Sequence, residues 1–144
     1  MSKYQLFRVV VAAVVHNKNG EFLMAQRHLK DDNQPGIWAI PAGHIEVEAS
    51  NTNILEDNLR REVKEEVGIE INIERYLESH SWVAEDYKKL TIVFLCTIKS
   101  GEPKALSETE EVSWLSLAEI RKLNCAPSVL RLIEKAADLL RQTV

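Results

Sequence analysis

The spacing of apolar positions changes several times along this chain, and each change marks an element. FRVVVAAVVH, residues 7–16, is β-branched and nearly unbroken, as expected of a central strand buried on both faces. NKNG at 17–20 punctuates it and EFLMAQR resumes an extended pattern, which predicts a hairpin. HLKDDNQPG at 28–36 reads as a polar loop, and IWAIPAGHI after it as a short strand broken by Pro41 and Gly43. From about Asn53 to Val67 the period becomes helical: Ile54, Leu55, Leu59 and Val63 recur on one side, and Gly68 stands where a C-terminal glycine cap belongs. Ser50, Asn51, Thr52 and Asn53 all offer capping side chains, which leaves the helix start open by a turn.

Strand-like segments follow: IEINIERYLESHSWV at 69–83, read as more than one element, then KLTIVFLCTI at 89–98 and EVSWL at 111–115. SLAEIRKL at 116–123 reads as a short helix capped by Ser116. PSVLRLIEKAADLLRQ at 127–142 reads as an amphipathic helix with Pro127 in its first turn. Long extended segments with helices between them imply a mixed sheet packed between helices, an α/β or α+β three-layer sandwich. No repeat, low-complexity tract or Pro/Gly-rich linker interrupts the pattern, so one domain over residues 1–144 is expected.

One part of the helical segment does not fit a simple amphipathic stripe. At about 100° per residue, Glu62 and Glu66 lie about 40° apart and Glu65 about 60° to the side. Both Glu62 and Glu66 flank the direction of Leu55, so the acids continue the edge of the apolar stripe. As a solvated face they need only Arg61, which pairs with Glu65 at i,i+4. Against that, Glu62 and Glu66 repel at i,i+4, and acids near a helix C-terminus oppose its dipole. Each cost is a fraction of a kcal/mol. A hard divalent cation reverses the sign of all of them, since Mg²⁺ takes carboxylate, water and phosphate oxygens.

Composition narrows the field. With 45% hydrophobic and 28% charged residues and a formal net charge of -4, the chain reads as soluble and globular. That balance gives no reason to expect a nucleic acid polymer or an anionic membrane as partner. Phosphates, if it handles them, need local positive groups or a bound cation. Cys96 and Cys125 form no CxxC pair, and nothing in the first residues reads as a secretory leader, so a reduced, cytoplasmic setting is expected. VVVAAVV at 9–15 is too short to span a bilayer.

PAGHIE at 41–46 followed by RREVKEEVGI at 60–69 resembles the Nudix, or MutT-like, hydrolase family. The family's box runs G-x5-E-x7-R-E-U-x-E-E-x-G-U, with U aliphatic. Arg61, Glu62, Val63, Glu65, Glu66, Gly68 and Ile69 match its second half position by position, and Gly43 resembles its opening glycine. GIWAIPAG and EEVSWLSLAEI resemble the family's usual flanks. The first half departs from the box. Gly43 to Arg61 is 18 positions where the box has 14, so four extra residues intervene. The first glutamate is lost, because Ala49 stands six residues after Gly43 and Asn53 eight before Arg61; Glu46, Glu48 and Glu56 lie near but out of register.

The resemblance implies a metal-dependent hydrolase of nucleoside diphosphates linked to another moiety, using Mg²⁺ or Mn²⁺. It implies Glu62 and Glu66 as principal ligands, Glu65 as a ligand or the base for water, and the Gly43 carbonyl as a further ligand. Arg61 then holds a glutamate in place. A distal glutamate is expected among Glu108, Glu110 and Glu111, of which Glu111 is the choice. The alternative is a non-catalytic Nudix-fold domain that binds or senses a nucleotide. Arg27, His28 and Lys30 read as surface charge within reach of phosphates, Trp38 and Trp114 as core, and Trp82 and Tyr87 as candidates for substrate contact. No histidine spacing points to zinc. The stripe of the last helix is expected to pack on the sheet, with part of it available for a homodimer seam. Nothing in the loops at 28–36, 47–53 and 82–90 specifies the nucleotide.

Overall fold

The computed structural model describes residues 3–31, 34–47 and 52–142. Strands β1 (Arg8–Val15), β2 (Phe22–Arg27), β3 (Trp38–Ala39) and β4 (Ala42–His44) precede helix α1 (Ile54–Val67). Then come β5 (Glu70–Val83), β6 (Lys88–Ser100), β7 (Thr109–Leu115), α2 (Leu117–Ile120) and α3 (Pro127–Arg141). One sheet runs β4-β1-β6-β5, with β1 and β6 parallel and the outer pairs antiparallel. A second, antiparallel sheet runs β3-β2-β7.

Alternation along β1 explains the layering. Val11, Ala13 and Val15 pack with Leu59, Val63 and Val67 of α1, whereas Ala12 and Val14 pack with Ile120 of α2 and Leu132, Ile133 and Ala136 of α3. β2 divides likewise, sending Leu23 and Ala25 to the first cluster and Phe22 and Met24 to the second. Two cores therefore lie on opposite faces of the sheets, between α1 on one side and α3 on the other. Each fully buried aliphatic side chain contributes about 1.5–3 kcal/mol to holding those layers. The apolar stripe of α3 is taken up in this way, and α2 carries the expected cap, a reciprocal Ser116–Glu119 capping box.

The structure corrects two expectations and settles a third point left open. The turn at 17–20 forms, with the Asn17 side chain accepting from the amides of Asn19 and Glu21. Its two strands, however, stay together only at the His16–Phe22 bridge. Both are apolar on both faces, so each is central to a different sheet: β1 between β4 and β6, β2 between β3 and β7. Residues 70–83 form one 14-residue strand, not several. Register shifts at Glu70/Ile71, Ile73/Arg75 and Tyr76/Glu78 throw its sequence pattern out of phase. The start of α1 is capped by Asn53 in a left-handed conformation (φ 53°) without a side-chain capping bond. Of the other capping candidates, Ser50 and Asn51 lie outside the described residues.

Pro41 marks the crossing between the sheets. Lacking an N–H, it ends the β3 ladder, while its carbonyl accepts from Ala13 (2.9 Å) as the chain joins β1. β4 is thereby laid beside β1 in the register Val11–Gly43, directly under α1. Among the described residues, no helix is long and apolar enough to cross a membrane.

Candidate active site

A cleft of about 290 Å³ opens where α1, β2 and β4 meet. Glu62, Glu65 and Glu66 line it from α1, with Arg27 from β2, Ala42 from β4 and Glu108 from the segment before β7. The C-terminal end of α1 is fixed by its neighbours. Gly68 (φ 73°) closes the helix, and the amides of Lys104 and Leu106 donate to the carbonyls of Val67 (3.0 Å) and Glu66 (3.1 Å). That tie carries Ser107, itself left-handed at φ 56°, and Glu108 to the cleft, where the Glu108 carbonyl accepts from His28 (3.0 Å).

Gly43 shows why this position lacks a side chain. A Cβ built there would stand 2.0 Å from Cδ of Glu62 and 2.2 Å from its Oε2. The Glu62 side chain therefore lies directly against the β4 backbone, and its exposure falls to 17%. Gly43 is held in place by strand pairing within β4.

Arg61 holds the acids together. Its Nη1 donates to Glu62 Oε1 at 2.9 Å and reaches Glu65 at 3.4 Å, with the Glu46 carboxylate at 3.9 Å. Its Nη2 donates to Asn58 Oδ1 (2.8 Å) and to the His44 carbonyl (3.4 Å). Glu66 is the least neutralised of the three acids. Burial pushes its carboxyl up to about 7; a hydrogen bond with the Ala42 backbone and the charge of Arg27 pull it down, while Glu62 and Glu65 push it up. Arg27 is itself shared with Asp31, 2.9 Å away. The set of oxygen donors suits a hard cation, which would relieve that crowding. Among the described residues, no three His, Cys, Asp or Glu side chains converge as they stand to hold an ion, and Arg61 spans Glu62 and Glu65.

The likeness to known proteins agrees with this geometry. Residues 6–135 match the family model described as NUDIX domain. The chain is 30% identical over 134 residues to a MutT-like protein of Streptomyces ambofaciens, covering 90% of this chain and 77% of that one. It is 29% identical over 137 residues to a CTP pyrophosphohydrolase of Escherichia coli (strain K12), covering 87% of each. The crystal structure of a MutT protein from Methanosarcina mazei Go1 superposes with a TM-score of 0.76 at 26% identity, covering 98% of this chain and 99% of that one. The chain belongs to the Nudix family. It is accordingly a Nudix hydrolase fold, of a family that acts on nucleotide derivatives.

Within the Nudix box, Arg61 to Val67 stand on α1, Gly68 caps it, and Gly43 stands on β4. Of the two positions where the first glutamate is missing, Ala49 lies outside the described residues, as does Glu48, and Asn53 is the left-handed residue before α1. Glu111 pairs with Gln26 across β7 and β2 and does not line the cleft; Glu108 does. Glu110 sits 3.4 Å from His28. Trp38 and Trp114 pack against the two cores. Trp82 and Tyr87 form an edge-on pair 5.8 Å apart, with Arg8 4.4 Å over Tyr87, away from the cleft lining. The sequence reading missed Asn58. Its one signal was an amide three residues beyond Leu55, on the helix side that should be apolar.

Proposed function

We propose that this Nudix protein is a metal-dependent hydrolase that cleaves the pyrophosphate bond of a nucleoside diphosphate linked to another moiety. The observation that carries the reading is the crowding of Glu62, Glu65 and Glu66 around one cleft, with Glu62 pressed against a glycine backbone. Clustered acids are costly in a domain that only binds an anionic nucleotide, because they repel its phosphates. They suit one that recruits a cation between itself and those phosphates.

Glu62 and Glu66 are the residues to hold Mg²⁺ or Mn²⁺, with the Gly43 carbonyl and Glu65 beside them. A divalent cation supplies, when bound, neutralisation of diphosphate charge and acidification of water. The chain's own groups do the rest. Arg61 fixes the carboxylates of Glu62 and Glu65, and Glu65, 55% exposed, is free enough to orient and deprotonate water. Arg27 faces the same cleft and offers positive charge to the phosphates. Glu108 is the distal carboxylate that the cleft geometry favours over Glu111.

The test is a panel of nucleoside triphosphates and nucleoside diphosphate conjugates, with and without Mg²⁺, for the protein and for Glu66→Gln. Metal-dependent product release that collapses in the variant is expected. Absence of turnover on every compound, with a nucleotide still raising the melting temperature, would replace the hydrolase with the binding domain.

A further inference from the structure

Asn58 is buried, with 6% of its surface exposed, in the middle of a surface helix. Every hydrogen-bonding capacity of its amide is used. Nδ2 donates to the carbonyls of Glu46 (3.1 Å) and Ile54 (2.8 Å). Oδ1 accepts from the Glu46 amide (2.8 Å) and from Nη2 of Arg61 (2.8 Å). Two donors and two acceptor lone pairs are all an asparagine has. Its partners are the segment leaving β4, the first turn of α1, and the arginine that spans Glu62 and Glu65.

We propose that Asn58 is the positioning residue that lets this chain keep a working carboxylate site despite its lengthened box, an inference that rests on the metal-dependent reading above. The last ladder contact of the β4 segment is the Ile45 amide on the Val9 carbonyl (3.1 Å). One residue later Asn58 takes over, bonding both backbone groups of Glu46 as a neighbouring strand would. The chain from Ala42 to Glu46 is thus fixed to α1 independently of the residues that follow Glu46. The connection beyond it can change length without moving Gly43 against Glu62. The same oxygen holds one arm of Arg61, so the fork that gathers the acids is set by the anchor that sets the glycine. An apolar residue of the same size would unpair the Glu46 amide and carbonyl together and leave that arm of Arg61 with the longer bond to the His44 carbonyl (3.4 Å).

The experiment compares the protein with Asn58→Leu and Asn58→Asp. Three readouts are needed: guanidinium ¹⁵N NMR of metal-free protein, Mn²⁺ binding by electron paramagnetic resonance, and kcat against KM. In Asn58→Leu the Arg61 guanidinium should lose its restricted rotation and the Mn²⁺ dissociation constant should rise about tenfold or more. kcat should fall while KM for the nucleotide holds. Asn58→Asp keeps the acceptor oxygen and gives up the two donated bonds, so Arg61 should stay restricted. It also serves as the readable variant if Asn58→Leu fails to fold. An unchanged Arg61 signal and unchanged Mn²⁺ binding in Asn58→Leu, even with a lower melting temperature, would overturn the proposal and leave Asn58 a structural residue. Failure of the unaltered protein to bind Mn²⁺ would sink the metal-dependent reading instead, and the NMR comparison would still decide whether Asn58 holds Arg61.

Discussion

Two glutamates on opposite sides of the same sheet have been moved in opposite directions. Glu66, facing the α1 cleft, is pushed up to about 7 by burial among other acids. Glu78, on β5 facing α3, is pulled down to about 2: Arg131 bonds it, and His80 and Lys135 add to that against the opposing effect of its burial. One carboxylate has more positive partners than it needs and the other too few. The surplus is what a strut between β5 and α3 requires. A deficit of that kind suits a site that gains a cation from outside, the role proposed for Glu66. The contrast is between an acid tied into the scaffold and one left short of positive charge at the cleft.

The largest effect should come from making the two sites exchange consequences. Glu66→Gln should lower kcat roughly a hundredfold or more, since a candidate metal ligand is lost. The same change should leave the metal-free protein at least as stable, because it removes a charge from a crowd of like charges. Thermal melts in chelator beside initial rates in Mg²⁺ read both. A large loss of stability with activity retained would make Glu66 a second strut and erase the contrast.

Gly43→Ala tests the same cleft through the backbone. The atoms that a Cβ would overlap belong to the far end of the Glu62 side chain, so the carboxylate must swing away while the fold persists. Activity should fall about 10- to 100-fold, and stability should change by less than about 1 kcal/mol. If activity survives, Glu62 does not need its position on β4. A smaller effect, about tenfold, is expected for Glu108→Gln in apparent Mg²⁺ affinity, with Glu111→Gln close to unaltered. The reverse order would return the distal role to Glu111.

Glu111 shows how far the sequence could be read. From Arg61 to Glu66 the box lies on one continuous helix, so i,i+3 and i,i+4 spacing is enough to place Glu62, Glu65 and Glu66 together. The central strand, the glycine cap at Gly68 and the capping box at Ser116 were legible for the same reason: each is decided within a few residues. Glu108 and Glu111 are distinguished by how the 101–108 segment ties to the end of α1 and by a register shift between Gln26 and Arg27. Neither is a local property. The split of β1 and β2 into two sheets and the continuity of β5 through its bulges depend likewise on partners far away in sequence. Asn58 was hard to read because its four bonds reach 3 to 12 residues away, and its place on the apolar side of the helix does not name those partners.

The smallest effect belongs to Glu78, and there the sign of the pH dependence is the test. Its folded-state pKa, about 2, lies below the ordinary 4.5. A depressed acid contributes stability that is fully present above the unfolded value and is lost as pH falls from about 4.5 toward 2. Arg131 and Lys135 are each half exposed, so solvent screens the interaction and the contribution is about 1–2 kcal/mol, well below what the full shift implies. Glu78→Gln should therefore cost about that much at pH 7, flatten the acid limb of a denaturation profile, and leave turnover in Mg²⁺ unaltered. A variant that lost turnover while keeping its acid limb would place Glu78 on the functional side of the contrast. The position of Glu78 argues for the first outcome: every partner it has belongs to β5 or α3, and none of them lines the cleft.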